Sequence, residues 1–573
     1  MQKEKILERK GRKISLLGNE AIARGALEAG VDFVTQYPGT PSSEVGDTFF
    51  RLKEEIKKIN PLFYFEYSTN EKVALEVAAG AVFCKSRALV SMKNFGLNVA
   101  SDFFFPISQI RIPGQLVILV ADDPSCWSSA QSEQDTRHLI FGAKIPMLEP
   151  SFLQESKDFV IFAFQISEKF QIPVVIRHTT RVAHQSGPVV LGEIKRPKEK
   201  KFKFKKDPKR FVTTPPRVLE MKVDLIKRME KIREVSEKSS LNKIFNQSPK
   251  SKFGIITSGV GFCYTMEALK NLNLKIPVLK LGFVFPLPKK KIKKFLENKR
   301  QILIVEEGDP FLEEKIKEIA FEAKWKGEIF GKESSFEGGR IWKERKTILP
   351  SVGEIKSEYV EEAILKILNK KSIYKKHLKE FLEIKVPKRV PLLCTNPPCP
   401  YWAIVGAIKK VLNPEEVIFG GEIGCYMLFS HKIISLQDYL FCMGSDIGIA
   451  DGISKRSNQK IVAFVGDSSF FHASIPQLIN SSFNESSPLI IILENQTTAM
   501  TGHQPQPGSK IKIEEIVKAC KIKHLKVIDQ VKNPKELEET IREFIKLKGP
   551  KVIVARHICA LLEKKLKNRN EKR

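Results

Sequence analysis

Short apolar runs alternate with longer amphipathic stretches along almost the whole chain. Runs at 88–92, 116–121, 173–177, 254–258, 302–306, 461–465, 489–493 and 552–555 read as strands. Several are apolar at every position instead of every second one, which is the pattern of strands covered by helices on both faces. The expected architecture is α/β, multi-domain, with parallel sheets flanked by helices. Two stretches interrupt the series. Residues 191–250 are rich in Lys, Pro and Ser around a helical middle at 218–237, and residues 351–389 are charged and helical. The resulting division is a block at 1–190, a basic linker at 191–250, a block at 251–350, a charged helical linker at 351–389 and a last block at 390–573. No short-period repeat occurs, which excludes solenoids and propellers.

Composition narrows this picture. A chain of 573 residues with 42% hydrophobic content exceeds one ordinary core and has the balance of a globular protein. No uninterrupted apolar run reaches the roughly 18 residues of a spanning helix. The charged start, Met1-Gln2-Lys3-Glu4-Lys5, lacks the apolar centre of a signal peptide, so a cytoplasmic location is expected. The formal net charge of +30 comes mostly from lysine, with concentrations at 198–206 and 289–294. Nucleic-acid binding is disfavoured, because no zinc-finger spacing, RNP-type aromatic motif or helix-turn-helix signal accompanies the charge. A solvated lysine-rich surface is the first reading, and a docking surface for an acidic protein the second. Nine cysteines in a cytoplasmic chain argue against a disulfide framework. Cys84, Cys126, Cys263, Cys442 and Cys520 lie in or beside apolar segments and are expected to be buried and inert.

The last block carries the most specific chemistry. The strand at 461–465 runs into Gly466-Asp467-Ser468-Ser469, and the strand at 489–493 ends in Glu494-Asn495-Gln496-Thr497. One helix and a return strand fit between them. Two adjacent strand ends can therefore bring the Asp467 carboxylate and the Asn495 side-chain oxygen to one point. Oxygen donors of this kind suit Mg²⁺, which characteristically completes its octahedron with phosphate oxygens. An aspartate after a strand is by itself equally well explained as a plain turn; the pairing is what counts.

The pair is similar to the thiamine-diphosphate fingerprint, Gly-Asp-Gly followed some thirty residues later by Asn, with Ser468 in place of the final glycine. Neighbouring text extends the likeness: Gly420-Gly421-Glu422-Ile423-Gly424-Cys425-Tyr426, Cys442-Met443-Gly444, Phe470-Phe471-His472 and Thr498-Ala499-Met500-Thr501-Gly502-His503-Gln504. So do Tyr37-Pro38-Gly39-Thr40-Pro41-Ser42-Ser43, Asn70-Glu71-Lys72-Val73-Ala74, Met92-Lys93-Asn94-Phe95-Gly96-Leu97-Asn98 and Glu133-Gln134-Asp135-Thr136-Arg137 in the first block. In this order they resemble the alpha-subunit family of indolepyruvate ferredoxin oxidoreductase, within the thiamine-diphosphate 2-oxoacid ferredoxin oxidoreductases. The resemblance covers nearly the whole chain. It implies a pyrimidine-binding block at 1–190, a transketolase-C-like block at 251–350 and a diphosphate-binding block at 390–573.

The resemblance also implies roles. Asp467, Asn495 and the Thr497 backbone carbonyl correspond to Mg²⁺ ligands, and Gly424, Gly444, Gly466 and Ser468 to the surroundings of the diphosphate. Glu71 matches the activating glutamate that faces the aminopyrimidine ring. Its local setting, Ser68-Thr69-Asn70 before an apolar helix, reads independently as a helix N-terminus, and a capping glutamate without chemistry is the alternative. Thr40 lies in a loop that prolines end, and corresponds to a threonine that approaches the substrate carboxylate. An ordinary loop threonine is the alternative there. Arg137 and His138 read equally well as parts of a structural salt bridge.

Iron–sulfur ligation is less regular. The family's usual Cys-x₂-Cys-x₂-Cys-x₃-Cys-Pro runs, which carry a ferredoxin-like domain, do not occur, and no cysteine follows Cys559. The expectation is a chain without that domain. For a proximal [4Fe-4S] cluster, Cys425 and Cys559 fall at corresponding places, but the pair reads Cys394-Thr395-Asn396-Pro397-Pro398-Cys399 with four intervening residues instead of two. Four inert thiols are the other reading. The family's Cys-Pro-His is here Cys399-Pro400-Tyr401, which suggests that a polar group near the cofactor is lost.

The activity implied is oxidative decarboxylation of a 2-oxoacid, an arylpyruvate such as indolepyruvate, to acyl-coenzyme A with electrons passed to ferredoxin. Partners implied are a smaller second subunit, an acidic ferredoxin and coenzyme A, in a dimer of heterodimers, with no nucleic acid or membrane. The alternative is a non-oxidative thiamine-diphosphate decarboxylase or carboligase that has lost its redox parts. Presence or absence of the cluster separates the two.

Overall fold

The structure, a computed structural model, describes residues 5–195, 202–248, 250–332, 348–371 and 392–570. Of the two linkers expected from sequence, residues 196–201, 249 and 372–389 lie outside the described residues. The chain forms two compact units, Met1–Val386 and Pro387–Arg573.

Among the described residues the first unit has three sheets, the smallest being the antiparallel pair Lys13–Leu17 and Ser186–Val190. The largest has seven strands in the order Phe283–Phe285, Met147–Leu148, Val174–Thr179, Gln115–Asp122, Arg87–Lys93, Phe33–Gln36, Tyr64–Tyr67. All neighbours are parallel except the edge strand Phe283–Phe285, which runs antiparallel to Met147–Leu148. The strand Gln115–Asp122 is buried at every position. Its side chains divide by pleat: Leu116, Ile118 and Val120 enter one core with the helices Glu71–Phe83 and Asn94–Gln109, while Val117 and Leu119 enter another with Gly18–Ala29 and Leu153–Phe170. This explains why the run is apolar throughout.

The second sheet orders Glu328–Phe330, Gln301–Val305, Phe253–Thr257, Val278–Leu281 and Asn242–Phe245, with only the last antiparallel. Asn242–Phe245 comes from the basic 191–250 segment. The helix Arg217–Lys238 of the same segment buries Leu225, Met229 and Ile232. The helix Ser357–Ile367 packs Val360, Ala363, Ile364 and Ile367 into the core that also holds Leu269 and Leu303.

A buried ionic network also lies in the first unit. Arg137 donates to Asp135 at 2.9 Å and to Glu306 at 2.7 Å, and Arg177 donates to Asp122 at 2.6 Å and to Glu149. Both guanidinium groups are wholly buried. Burial opposes charge here, but Arg137 and Arg177 hold the Asp135 carboxyl well below the usual carboxylate range. The structural reading of Arg137 therefore holds.

The second unit is one six-stranded, wholly parallel sheet: Tyr439–Leu440, Val417–Gly421, Lys460–Gly466, Leu489–Glu494, Lys551–Arg556, His524–Ile528. After Val417–Gly421 the chain moves outward to Tyr439–Leu440. It then returns to the other side at Lys460–Gly466. The strand order reverses there, which makes the carboxyl ends of Val417–Gly421 and Lys460–Gly466 the flanks of a topological switch point. Among the described residues no helix is long and apolar enough to cross a membrane.

Candidate cofactor site

Asp467 stands at the switch point, the first residue after its strand and the first of a short helical turn. Its carboxylate is 2% exposed and gathers four N–H donors. The Ser468 backbone reaches Oδ1 at 2.8 Å, while the Asn495 and Gln496 backbones reach Oδ2 at 3.1 and 2.8 Å, and Gln506 Nε2 does so at 3.2 Å. Among the described residues no basic side chain joins them. Burial pushes this carboxyl up to about 7, against the backbone donors that favour its charge. The helix that follows contains a π-turn over Phe470–Ser474, a feature often found at functional sites.

Asn495 sits on the neighbouring parallel strand end, as the spacing predicts. Its Oδ1 accepts the Thr497 backbone N–H at 3.0 Å, and its Nδ2 donates to the Tyr401 hydroxyl at 2.9 Å. The Thr497 hydroxyl donates to the Gln504 carbonyl at 3.2 Å, and the Ser468 and Thr498 hydroxyls lie 2.9 Å apart. Carboxylate, amide and hydroxyl oxygens gathered around a buried acid with no counter-charge fit a hard divalent cation and the phosphate oxygens it would carry.

Across the switch point, Glu422 is fully buried, accepting from Tyr426 at 2.7 Å and from the Gly444 backbone. It thereby ties the Gly424 and Gly444 segments together. Gly444 has φ +78, and a Cβ there would come within 2.6 Å of the Ala473 Cβ, so only glycine fits. A Cβ at Gly466 would lie 2.9 Å from the Tyr426 ring. Asp446, buried nearby, is pushed up to about 8 by burial.

The four cysteines singled out in this unit share one neighbourhood. Burial pushes the Cys425 thiol up to about 12, and the charges of Cys399, Cys559 and Cys394 add to the effect. Burial likewise pushes Cys399 up to about 12, with Cys394 and Cys559 contributing. The Cys394–Cys399 turn closes with a hydrogen bond from the Cys399 N–H to the Cys394 carbonyl at 2.9 Å. Cys559 donates its N–H to the Asn495 carbonyl at 3.1 Å. Among the described residues no three His, Cys, Asp or Glu side chains are arranged as a metal-holding set. The other five cysteines correct an expectation. None is buried, and Cys442 is exposed, because it occupies a loop after the short strand Tyr439–Leu440.

Two residues escaped sequence reasoning. Tyr401, read as the loss of a polar group, keeps one: its hydroxyl binds Asn495. Gln506 reaches Asp467 from a loop 39 positions later, which no strand or helix periodicity could signal.

In the first unit, Glu71 is 6% exposed and opens the helix Glu71–Phe83, which Asn70 caps by accepting the Val73 N–H at 2.9 Å. The first-turn placement is thus as expected. A Cβ at Gly96 would come within 2.5 Å of the Glu71 Cγ, so Gly96 makes room for this side chain. Burial lowers the Lys93 ammonium to about 8, although nearby Asp123, Cys126 and Glu71 favour its charge. Thr40 lies in the loop after Phe33–Gln36, its hydroxyl 3.5 Å from that of Ser43 and its carbonyl accepting from Ser128 at 3.1 Å.

Three family models match in succession. Residues 24–242 match "Pyruvate flavodoxin/ferredoxin oxidoreductase, thiamine diP-bdg", residues 243–387 "Indolepyruvate oxidoreductase domain", and residues 422–555 "Thiamine pyrophosphate enzyme, C-terminal TPP binding domain". Fold, site and these matches define a thiamine-diphosphate oxidoreductase. Indolepyruvate oxidoreductase subunit IorA of Methanothermobacter thermautotrophicus is 39% identical over 577 positions, 98% of this chain and 89% of that protein. The Archaeoglobus fulgidus subunit is 37% identical (100% and 90% covered), and that of Pyrococcus horikoshii 40% identical (97% and 87%). The chain belongs to the indolepyruvate oxidoreductase subunit IorA family.

Proposed function

We propose that this chain is the thiamine-diphosphate-binding subunit of an enzyme that oxidatively decarboxylates an arylpyruvate such as indolepyruvate to its acyl-coenzyme A, passing electrons to ferredoxin. The observation that carries the reading is Asp467: a buried carboxylate without a basic partner, beside Asn495, at the switch point of a parallel sheet. In this reading Asp467, Asn495 and the Thr497 carbonyl hold Mg²⁺, while Gly424, Gly444, Gly466 and Ser468 line the diphosphate. Thiamine diphosphate, when bound, supplies the electron sink for breaking the bond to carbon dioxide. Glu71, held by its cap and by the space at Gly96, serves as the carboxyl that activates the aminopyrimidine. Thr40 offers its hydroxyl to the substrate carboxylate.

Cys394, Cys399, Cys425 and Cys559 are proposed to hold one [4Fe-4S] cluster, supported by Cys394 and Cys559 lying near enough to Cys399 and Cys425 to help raise those two thiols. The names of the relatives, each a subunit, support a smaller companion subunit, and the positive charge suits an acidic ferredoxin. A dimer of heterodimers in the cytoplasm completes the proposal; thiols stay reduced there.

The test is anaerobic. The chain, co-expressed with its companion, is assayed for viologen reduction dependent on indolepyruvate, coenzyme A and thiamine diphosphate, with iron and acid-labile sulfide measured in parallel. Dye reduction with about four irons per chain is the expected result. A loaded complex that reduces no dye overturns the oxidative assignment. An iron-free protein that still binds thiamine diphosphate overturns the cluster alone.

A further inference from the structure

We infer that Tyr401 is a positioning residue, fixing the orientation of the Asn495 carboxamide at the cation site. The inference rests on the Mg²⁺ role proposed for Asn495. Tyr401 opens the helix Tyr401–Val411 two residues after Cys399, and only 2% of its surface is exposed. Its hydroxyl accepts from Asn495 Nδ2 at 2.9 Å and donates to the Leu493 carbonyl at 3.4 Å. A phenol has one proton to give, and that proton goes to Leu493; only its lone pairs face Asn495.

A carboxamide has two distinguishable ends. With Nδ2 committed to Tyr401 and Oδ1 turned to the Thr497 N–H at 3.0 Å, the Asn495 amide has one satisfied orientation. The flipped amide would set its oxygen against the hydroxyl's lone pairs and its NH₂ against the Thr497 N–H. Two poor contacts in a buried site would result. Oδ1, the atom a hard cation takes, is therefore presented by default. Removing the phenolic oxygen leaves Nδ2 without its acceptor and removes the preference.

The same bond joins two parts of the unit. Asn495 is hydrogen-bonded to two cysteine-bearing segments: the Cys559 N–H donates to its backbone carbonyl at 3.1 Å, while its side chain donates to Tyr401, just beyond Cys399, at 2.9 Å. The orientation of the cation's amide ligand is thus set from the thiol side of the site, where a histidine stands in the family pattern.

Isothermal titration of MgCl₂ into the complex with thiamine diphosphate at saturation tests this, with the metal-free Tm as control. Tyr401→Phe is expected to weaken Mg²⁺ binding about 10-fold, the usual loss when a ligand's orienting partner is removed, with Tm nearly unchanged. Tyr401→His, whose ring nitrogen can accept from Nδ2, is expected to stay within about threefold of the natural protein, as a lost acceptor and not lost bulk is at issue. Tyr401→Phe binding Mg²⁺ within about twofold of the natural protein overturns the inference, as does Tyr401→His falling as far as Tyr401→Phe. If the unsubstituted protein shows no Mg²⁺-dependent binding, the Asp467–Asn495 site itself fails, a separate result.

Discussion

The two units treat buried acids in opposite ways. In the first, Asp122, Asp135, Glu149 and Glu306 all meet Arg137 or Arg177 directly, four carboxyl groups sharing two guanidinium groups. In the second, Asp467, Glu422 and Asp446 are buried just as deeply, yet hydroxyls, backbone N–H groups and each other are their company. Burial raises all three above the usual carboxylate range, and neighbouring acids add to it for Glu422 and Asp467. Acids left without a basic partner in a parallel sheet support the cation site proposed for Asp467. Glu71 is one exception in the first unit, a buried acid outside the arginine network on a helix start instead of a strand end; Glu307, which burial pushes up to about 7, is another.

That contrast can be broken from either side. The largest effect is expected at Glu71. Glu71→Gln keeps the shape and removes the ionisable group, so steady-state dye reduction should fall about 10²–10⁴-fold, while thiamine-diphosphate affinity holds. Equal losses in both would place Glu71 in binding only. Arg137→Met should destabilise the protein by about 3–5 kcal/mol, read by urea unfolding, because it strands Asp135 and Glu306 in the interior. A cost below about 1 kcal/mol would show that the network is not the prop it resembles. Asp467→Ala removes a buried acid with no basic partner but strands the N–H groups that bind it, so Tm should fall less than for Arg137→Met while Mg²⁺-dependent thiamine-diphosphate binding weakens at least about 100-fold. Unchanged affinity would sink the site.

The smallest effect is a slope. Asp446 titrates at about 8 when folded and near 3.9 when unfolded. Between those values the folded state holds a proton that the unfolded state has released, so stability falls as pH rises from about 4 to about 8. Asp446→Asn should flatten the pH dependence of unfolding free energy by one proton across that window. Identical slopes would mean that Asp446 is ionised in the fold.

Much of this was legible in advance. Both-face burial leaves an unmistakable pattern in runs such as 116–121, and the eight strands inferred all appear. Asp467 and Asn495 could be joined because strand, helix and return strand have a fixed length in residues. Tyr401 could not: its hydroxyl meets Asn495 across 94 positions, through a contact no spacing encodes. The status of Cys442 was misread for a related reason, since an apolar neighbourhood in sequence says little about a loop between a short strand and a helix. Nor could the basic 191–250 segment show that it lends a strand to the second sheet, because its charged face conceals the three apolar positions of Arg217–Lys238 that anchor it.

The antiparallel edge strand Phe283–Phe285 bears on how the protein is made. Its partner, Met147–Leu148, leaves the ribosome 283 − 148 = 135 residues earlier. At about 5–20 residues per second, that edge stands open for roughly 7–27 s before its cover is synthesised. An unpaired edge recruits strands from other chains. A fragment ending near residue 190 keeps it open permanently and should precipitate where a fragment ending after the second sheet stays in solution. For the growing chain, the same interval is when a chaperone has most to do.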